Sequence, residues 1–183
     1  MAEKLLRQNG DYKNLICYQK ANAIFEITGF FAPRFFNKIK DRTVDQMVQA
    51  ARSGKQNIAE GCSRHLTSAK TELKLLDVAR ASLFELLEDY EDYLRVNGQR
   101  QWEKGSREFE YMQELGRAEN SAEFYMPFIK VRPPETIANM AIILIRQAAF
   151  LILRLMEKLA KEFEEEGGFS ERMTRIRKDR RGY

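Results

Sequence analysis

The sequence predicts an all-α fold: an up-down four-helix bundle with a long insertion between its third and fourth helices and a basic C-terminal tail. Three observations carry that expectation. Apolar residues recur at i, i+3, i+4 and i+7 over four long stretches, the period of a helix that buries one face. Glycine and proline are sparse, 10 and 4 in 183 residues, while the good helix formers Leu, Glu, Lys, Arg and Ala abound. The strict alternation of half-buried strands is absent. A chain of this length buries enough surface to need no disulfide or metal. One bundle domain is expected over 11–168, with 99–132 as the insertion and 169–183 as the tail.

The first helix is expected over 12–28, where Leu15, Ile16, Ala23, Ile24 and Ile27 lie at helical spacing, stopping near Gly29 with Pro33 beyond. The second is expected over 43–62. Val44, Val48, Ala51, Ile58 and Cys62 form its apolar line and Asp45, Gln49, Arg52 and Gln56 its polar one. Thr43 with Gln46 three residues later reads as a capping box. The third starts after Thr67 or Ser68 and runs to Asn97-Gly98, a good terminator. Leu73, Leu76, Ala79, Leu83, Leu86, Leu87, Tyr90 and Leu94 give it a continuous stripe.

The pattern weakens over 99–132. A short helix fits 106–118, with Phe109, Met112 and Leu115 as its buried side; the residues after it read as a loop lying across the body, anchored by Phe124, Tyr125 and Phe128. Pro133-Pro134 opens the last long helix, which continues to Gly167-Gly168. Twelve of the fourteen residues from Met140 to Leu153 are apolar, so a membrane span has to be weighed. Arg146, Gln147 and Arg154 interrupt the run, and a central arginine costs about 2.5–3.5 kcal/mol on insertion. The expectation is no membrane, and a helix either central in the bundle or shared with another subunit.

Composition narrows the chemistry. One histidine, His65, leaves little for zinc or a histidine-dependent catalytic pair, and it stands five residues from Glu60, the wrong offset for a di-iron Glu-x-x-His motif. Cys17 and Cys62 make no disulfide framework; they fit a reducing cytoplasm as small core residues. Glu85, Glu88, Asp89 and Asp92 form an acidic stripe that reads as a solvated face or as intersubunit salt bridges. No Gly-rich phosphate loop is present, and the first fourteen residues lack the apolar core of a secretory signal. No catalytic constellation, metal site or cofactor is expected.

The most informative stretch is QMVQAARSGKQNIAEGCSRH, residues 46–65. Ala50, Gly54, Asn57 and Gly61 fall three or four apart, so they share a helix side where small residues admit a close neighbour and Asn57 could hydrogen-bond across the contact. Glu60 and Arg64 are spaced for an i,i+4 ion pair. The string from Ala50 to Arg64, AARS-x-x-x-NIAEG-x-x-R, resembles the signature of the ribosomal-RNA intervening-sequence proteins, also called four-helix bundle proteins. LICYQKA upstream (15–21) and TELKLLDVARASLFEL downstream extend the resemblance over roughly 11–98, with Glu72, Leu76, Ala79, Ser82, Leu83, Glu85 and Leu86 at matching positions. It implies a left-handed four-helix bundle assembled as a ring, typically a homopentamer. Some members are encoded within insertions in large-subunit ribosomal RNA genes, and a relative is the accessory protein of reverse transcriptases in diversity-generating retroelements. The insertion and the basic tail lie outside the family's pattern.

Charge suggests an anionic partner. Residues 169–183 hold Arg172, Arg175, Arg177, Lys178, Arg180 and Arg181 against Glu171 and Asp179, so this tail alone accounts for the chain's net +4. Lys38, Lys40 and Arg42 precede the second helix, Arg52 and Lys55 lie on it, and Arg64, His65, Lys70 and Lys74 follow around the next turn. Arg52, Lys55, Arg64, Lys70 and Lys74 with the six tail residues are the candidate contacts to RNA or DNA. The alternative is a homo-oligomeric scaffold for a protein partner, docking through the fourth helix and 99–132.

Overall fold

The computed structural model describes residues 11–36, 42–64, 68–167 and 174–178. Among them every regular element is a helix, which agrees with the all-α expectation. A 3-10 turn (Tyr12–Asn14) precedes α1 (Ile16–Phe35), α2 (Thr43–Arg64), α3 (Ala69–Val96), α4 (Arg107–Ala118), α5 (Ala122–Ile129) and α6 (Pro134–Glu166). The four long helices pack in cyclic order, α1 on α2, α2 on α3, α3 on α6 and α6 on α1, around one core. Against them lie α4, on α6, and α5, on α1.

The apolar stripes explain these contacts, and local chemistry sets most boundaries. Ser68 caps α3 by accepting the Thr71 N–H at 3.2 Å. Gly98, at φ 62°, ends α3 in the left-handed region. There the Gln99 N–H reaches Leu94 O at 2.9 Å and the Gly98 N–H reaches Arg95 O at 3.2 Å, a paired closure of the last carbonyls. Pro134 sits in the first turn of α6, where its missing N–H costs nothing.

Three boundaries correct the sequence reading. First, α1 begins later, Tyr12–Asn14 being a separate turn capped by Asp11, and it runs through Gly29 and Pro33 to Phe35. Tertiary packing outweighs the breakers: Phe31 is fully buried, with its ring centre 5.0 and 4.8 Å from those of Tyr90 and Tyr93 of α3 in tilted and edge-on contacts. Second, Thr43 is already helical; Arg42 O takes the first helical bond, from the Gln46 N–H at 3.1 Å, so the capping box stands one residue out of place. Third, the presumed loop after α4 contains α5, capped by Ser121, which accepts the Phe124 N–H at 3.2 Å. Tyr125 anchors it in the core and Phe124 is half-buried, but Phe128 is exposed.

The breadth of the apolar surface on α6 has an answer within one chain. Residues 137–145 are buried on every side, because α1, α3 and the inserted α4 each cover part of the circumference. From Arg146 onward the helix is one-sided, with Arg146, Phe150 and Arg154 exposed. It is long and apolar enough to cross a membrane, yet 67% of its most apolar window is buried inside the protein.

Candidate functional site

The seam read from the sequence lies between α2 and α3. Gly54 faces Leu83: a methyl group on its Cα would stand 2.9 Å from Leu83 Cδ2. One on Gly61 would meet the Glu72 carbonyl at 3.4 Å and Leu75 Cβ at 3.5 Å. Ala50 is buried on the same line. Asn57 departs from the expectation, because its Nδ2 donates within its own helix, to Ser53 O at 2.9 Å and Ser53 Oγ at 3.1 Å. A bond that does cross the seam joins Ser53 Oγ to Ser82 Oγ at 2.9 Å.

The candidate nucleic-acid residues divide into groups. Arg64, at the end of α2, and Lys70 and Lys74, in the first turns of α3, flank the same helix–helix connection and are exposed. Arg64 meets Glu60 at 3.8 Å. Arg52 is exposed farther along α2. Lys55 turns towards α1, where its ammonium lies 4.0 Å from the Phe25 ring centre and donates to Asn22 Oδ1 at 3.3 Å. Nine residues separate Lys55 from Arg64, about two and a half helical turns, which puts them on opposite flanks. They do not form one strip. In the tail, Arg175, Arg177 and Lys178 are exposed on a short helical run, 174–178. Lys38, Lys40, His65, Arg172, Arg180 and Arg181 lie outside the described residues.

Both cysteines are free and buried. Burial pushes the Cys17 thiol up to about 11. Burial, with smaller contributions from Glu72 and Cys17, pushes Cys62 up to about 12. Thiols so far above neutrality are poor nucleophiles. Along the acidic stripe Glu85, Glu88 and Asp92 are exposed and Asp89 is half-buried; Asp92 pairs with Arg95 at 2.8 Å. Among the described residues no group of three or more His, Cys, Asp or Glu is placed to hold a metal ion.

Two buried polar side chains, not singled out by the sequence reading, fasten the insertion. Asn139 of α6 accepts the Trp102 N–H at 2.7 Å and donates to Arg100 O and Glu135 O, each at 2.9 Å. Lys20 of α1 is 1% exposed, and its ammonium donates to Gly116 O and, at 3.5 Å, to Glu119 O, at the C-terminal end of α4. Unsatisfied carbonyls and the negative end of the helix dipole favour a cation there. Burial nevertheless brings the Lys20 amine down to about 8. Its sequence signal is the buried company at i−3, i+3 and i+4, Cys17, Ala23 and Ile24.

Lys20 forms part of the wall of a cavity of about 480 Å³ between α1, α4 and α6. Ile16, Phe109, Ile143, Phe150 and Leu151 supply its apolar lining. Gln147 crosses from α6 to α4, donating to Gln113 O at 2.9 Å, and its own Oε1 is held close over Gly116. A second hollow of about 330 Å³ is lined by Trp102, Tyr111, Phe124, Phe128 and Arg132. No family model, curated protein or solved structure matches this chain.

Proposed function

We propose that this protein is a non-enzymatic, homo-oligomeric helical-bundle protein that binds RNA, or a nucleoprotein partner, through its basic surface and tail. One observation carries the reading: the entire net charge of +4 resides in the last fifteen residues, and the rest of the chain is balanced. A polyanion gains from each cation that displaces its counterions. Arg64, Lys70 and Lys74, exposed around one connection, offer a second basic surface. The cyclic packing of α1, α2, α3 and α6 supports an up-down four-helix bundle with α4 and α5 inserted before its last helix. The resemblance of residues 50–64 to the intervening-sequence proteins, on α2 and its seam, supports membership in that family and assembly as a ring, a pentamer by analogy. The two buried thiols, with their raised pKa values, disfavour a cysteine nucleophile.

The test is fluorescence anisotropy of a labelled single-stranded RNA 20-mer between 50 and 300 mM KCl, with the full chain and with a truncation ending at residue 168. If all six tail cations engage, the log–log salt slope approaches about −4, from about 0.7 per phosphate. Truncation then weakens binding at least tenfold at the lowest salt. Salt-independent binding untouched by truncation removes the proposal. Light scattering with and without nuclease gives the subunit number separately.

A scaffold reading is favoured by one feature, the aromatic hollow beside α4 and α5, whose Tyr111 is 67% exposed. On that reading a stoichiometric partner survives nuclease treatment and is lost on Tyr111→Ser with Phe128→Ser.

A further inference from the structure

The cavity between α1, α4 and α6 has three features that belong together. Its volume, about 480 Å³, lies within the range of sites for small organic ligands. Its apolar wall continues to the surface, where Ile16 is 52% and Phe150 60% exposed, so its mouth is greasy rather than sealed. Among the described residues, every ionisable side chain lining it is cationic: Lys20, Arg117 and Arg146. Arg146 already pairs with Glu91 at 2.6 Å, and Arg117 is exposed. Lys20 differs from both, because its acceptors are the carbonyls of Gly116 and Glu119.

We propose that this cavity binds a small amphipathic anion, a monocarboxylate with an aliphatic or aryl body, whose carboxylate faces Lys20 and Arg117 and whose body lies against Phe109, Phe150 and Leu151. A buried ammonium held only by neutral carbonyls gains more from an anion than a solvated lysine does, since screening by water is reduced. The apolar walls supply affinity by removing hydrocarbon from water. A neutral alcohol of the same length keeps that second contribution and loses the first. A cationic amphiphile meets three like charges. The site is built in part by α4, so it belongs to the insertion and not to the four long helices alone. It stands apart from the RNA reading and survives that reading's failure.

Decanoate, decanol and decylamine are titrated into the nucleic-acid-free full chain by isothermal calorimetry at pH 7, each up to 1 mM or its solubility limit. Decanoate is expected to bind at one site per chain, at least tenfold more tightly than decanol, with decylamine showing no binding. Lys20→Met keeps an unbranched side chain one atom shorter and removes its charge, and is expected to weaken decanoate at least tenfold. Because Lys20 also holds α4, the exposed Arg117→Glu variant, checked for wild-type circular dichroism, reverses the second cation facing the carboxylate without disturbing the core, and is expected to weaken decanoate about tenfold. Equal affinity for decanoate and decanol, decanoate affinity unchanged in Arg117→Glu, or no decanoate binding at 1 mM each overturns the proposal.

Discussion

Along the α2–α3 contact the helices touch because side chains are missing, whereas residues 99–132 are fastened by side chains that reach for backbone. At the seam, Gly54 and Gly61 let Leu83 and the Glu72 carbonyl approach the α2 backbone directly. At the insertion, Asn139 bonds the Trp102 N–H and the Arg100 carbonyl, and Lys20 bonds carbonyls at the end of α4. The first device depends on shape and tolerates little added volume. The second depends on satisfied polar groups, and failure comes from leaving one of them alone.

The largest effect is expected at the seam. Gly54→Val places branched carbons where an added Cβ alone would stand 2.9 Å from Leu83, and is expected to cost about 3 kcal/mol in urea unfolding. Gly54→Ala is the sharper test: the obstacle is the far end of a leucine, and about 1 kcal/mol of helix propensity is recovered. A near-neutral Gly54→Ala beside a damaging Gly54→Val is the expected pair. Asn139→Leu is next, at about 2 kcal/mol, because it leaves the Trp102 N–H and the Arg100 carbonyl without their partner. Trp102 is the chain's single tryptophan, so its fluorescence is expected to shift to the red as this end of the insertion loosens.

The Lys20 amine falls from its ordinary 10.5 to about 8 in the folded chain. Between those values the unfolded chain holds a proton that the folded chain has released. This group therefore makes stability rise with pH, by at most about 1.4 kcal/mol per unit. The raised thiols and tyrosines act oppositely, above about pH 9, and cancel in a comparison with Lys20→Met. Wild type minus Lys20→Met is expected to grow by about 1 kcal/mol per unit from pH 8 to 10 in urea titrations. A flat difference would mean that Lys20 is solvated. The smallest effect, about 0.5 kcal/mol, is expected for Ser53→Ala, which removes the hydroxyl bond to Ser82 and one acceptor of the Asn57 amide but leaves the glycines in place. A matching loss in Ser82→Ala, and no further loss in the double variant, would assign it to that bond.

Legibility in the sequence followed the same divide. The stripe from Leu76 to Leu94 and the small residues at 50, 54 and 61 announce themselves by periodicity, since one repeat of about 3.6 residues decides which positions face inward. The glycine at 98 is equally plain, because its chemistry acts over three or four residues of the same chain, whereas the start of α3 stays open between Thr67 and Ser68 until the structure gives the cap to Ser68. Gly29 and Pro33 read as a stop, but the aromatic cluster around Phe31 holds α1 beyond them. The eight residues of α5 are too few to display a period, and Pro127 within them reads as a breaker. Asn57 reads as a hydrogen bond across the contact, yet a side-chain amide four residues from a serine finds its acceptor on its own helix.

The site residues divide likewise. Tail charge is a property of composition and needs no fold. The division of Lys55 from Arg64 by half a turn of α2 is implicit in their spacing, but only packing shows that Lys55 spends its charge on Phe25 and Asn22. The cavity beside Lys20 was invisible, since Ile16, Arg117 and Phe150 come from three helices far apart in the chain.

By itself the sequence determined that this chain is helical, which faces of its long helices turn inward, and where its excess charge lies, because those are sums or periods over neighbouring residues. Tertiary structure alone decided that α4 covers α6, that Asn139 and Lys20 fasten the insertion, and that a cation-lined cavity lies between α1, α4 and α6. Hydrogen bonds between groups as distant as Lys20 and Gly116, and voids between helices, depend on how elements meet, and no local pattern encodes that meeting.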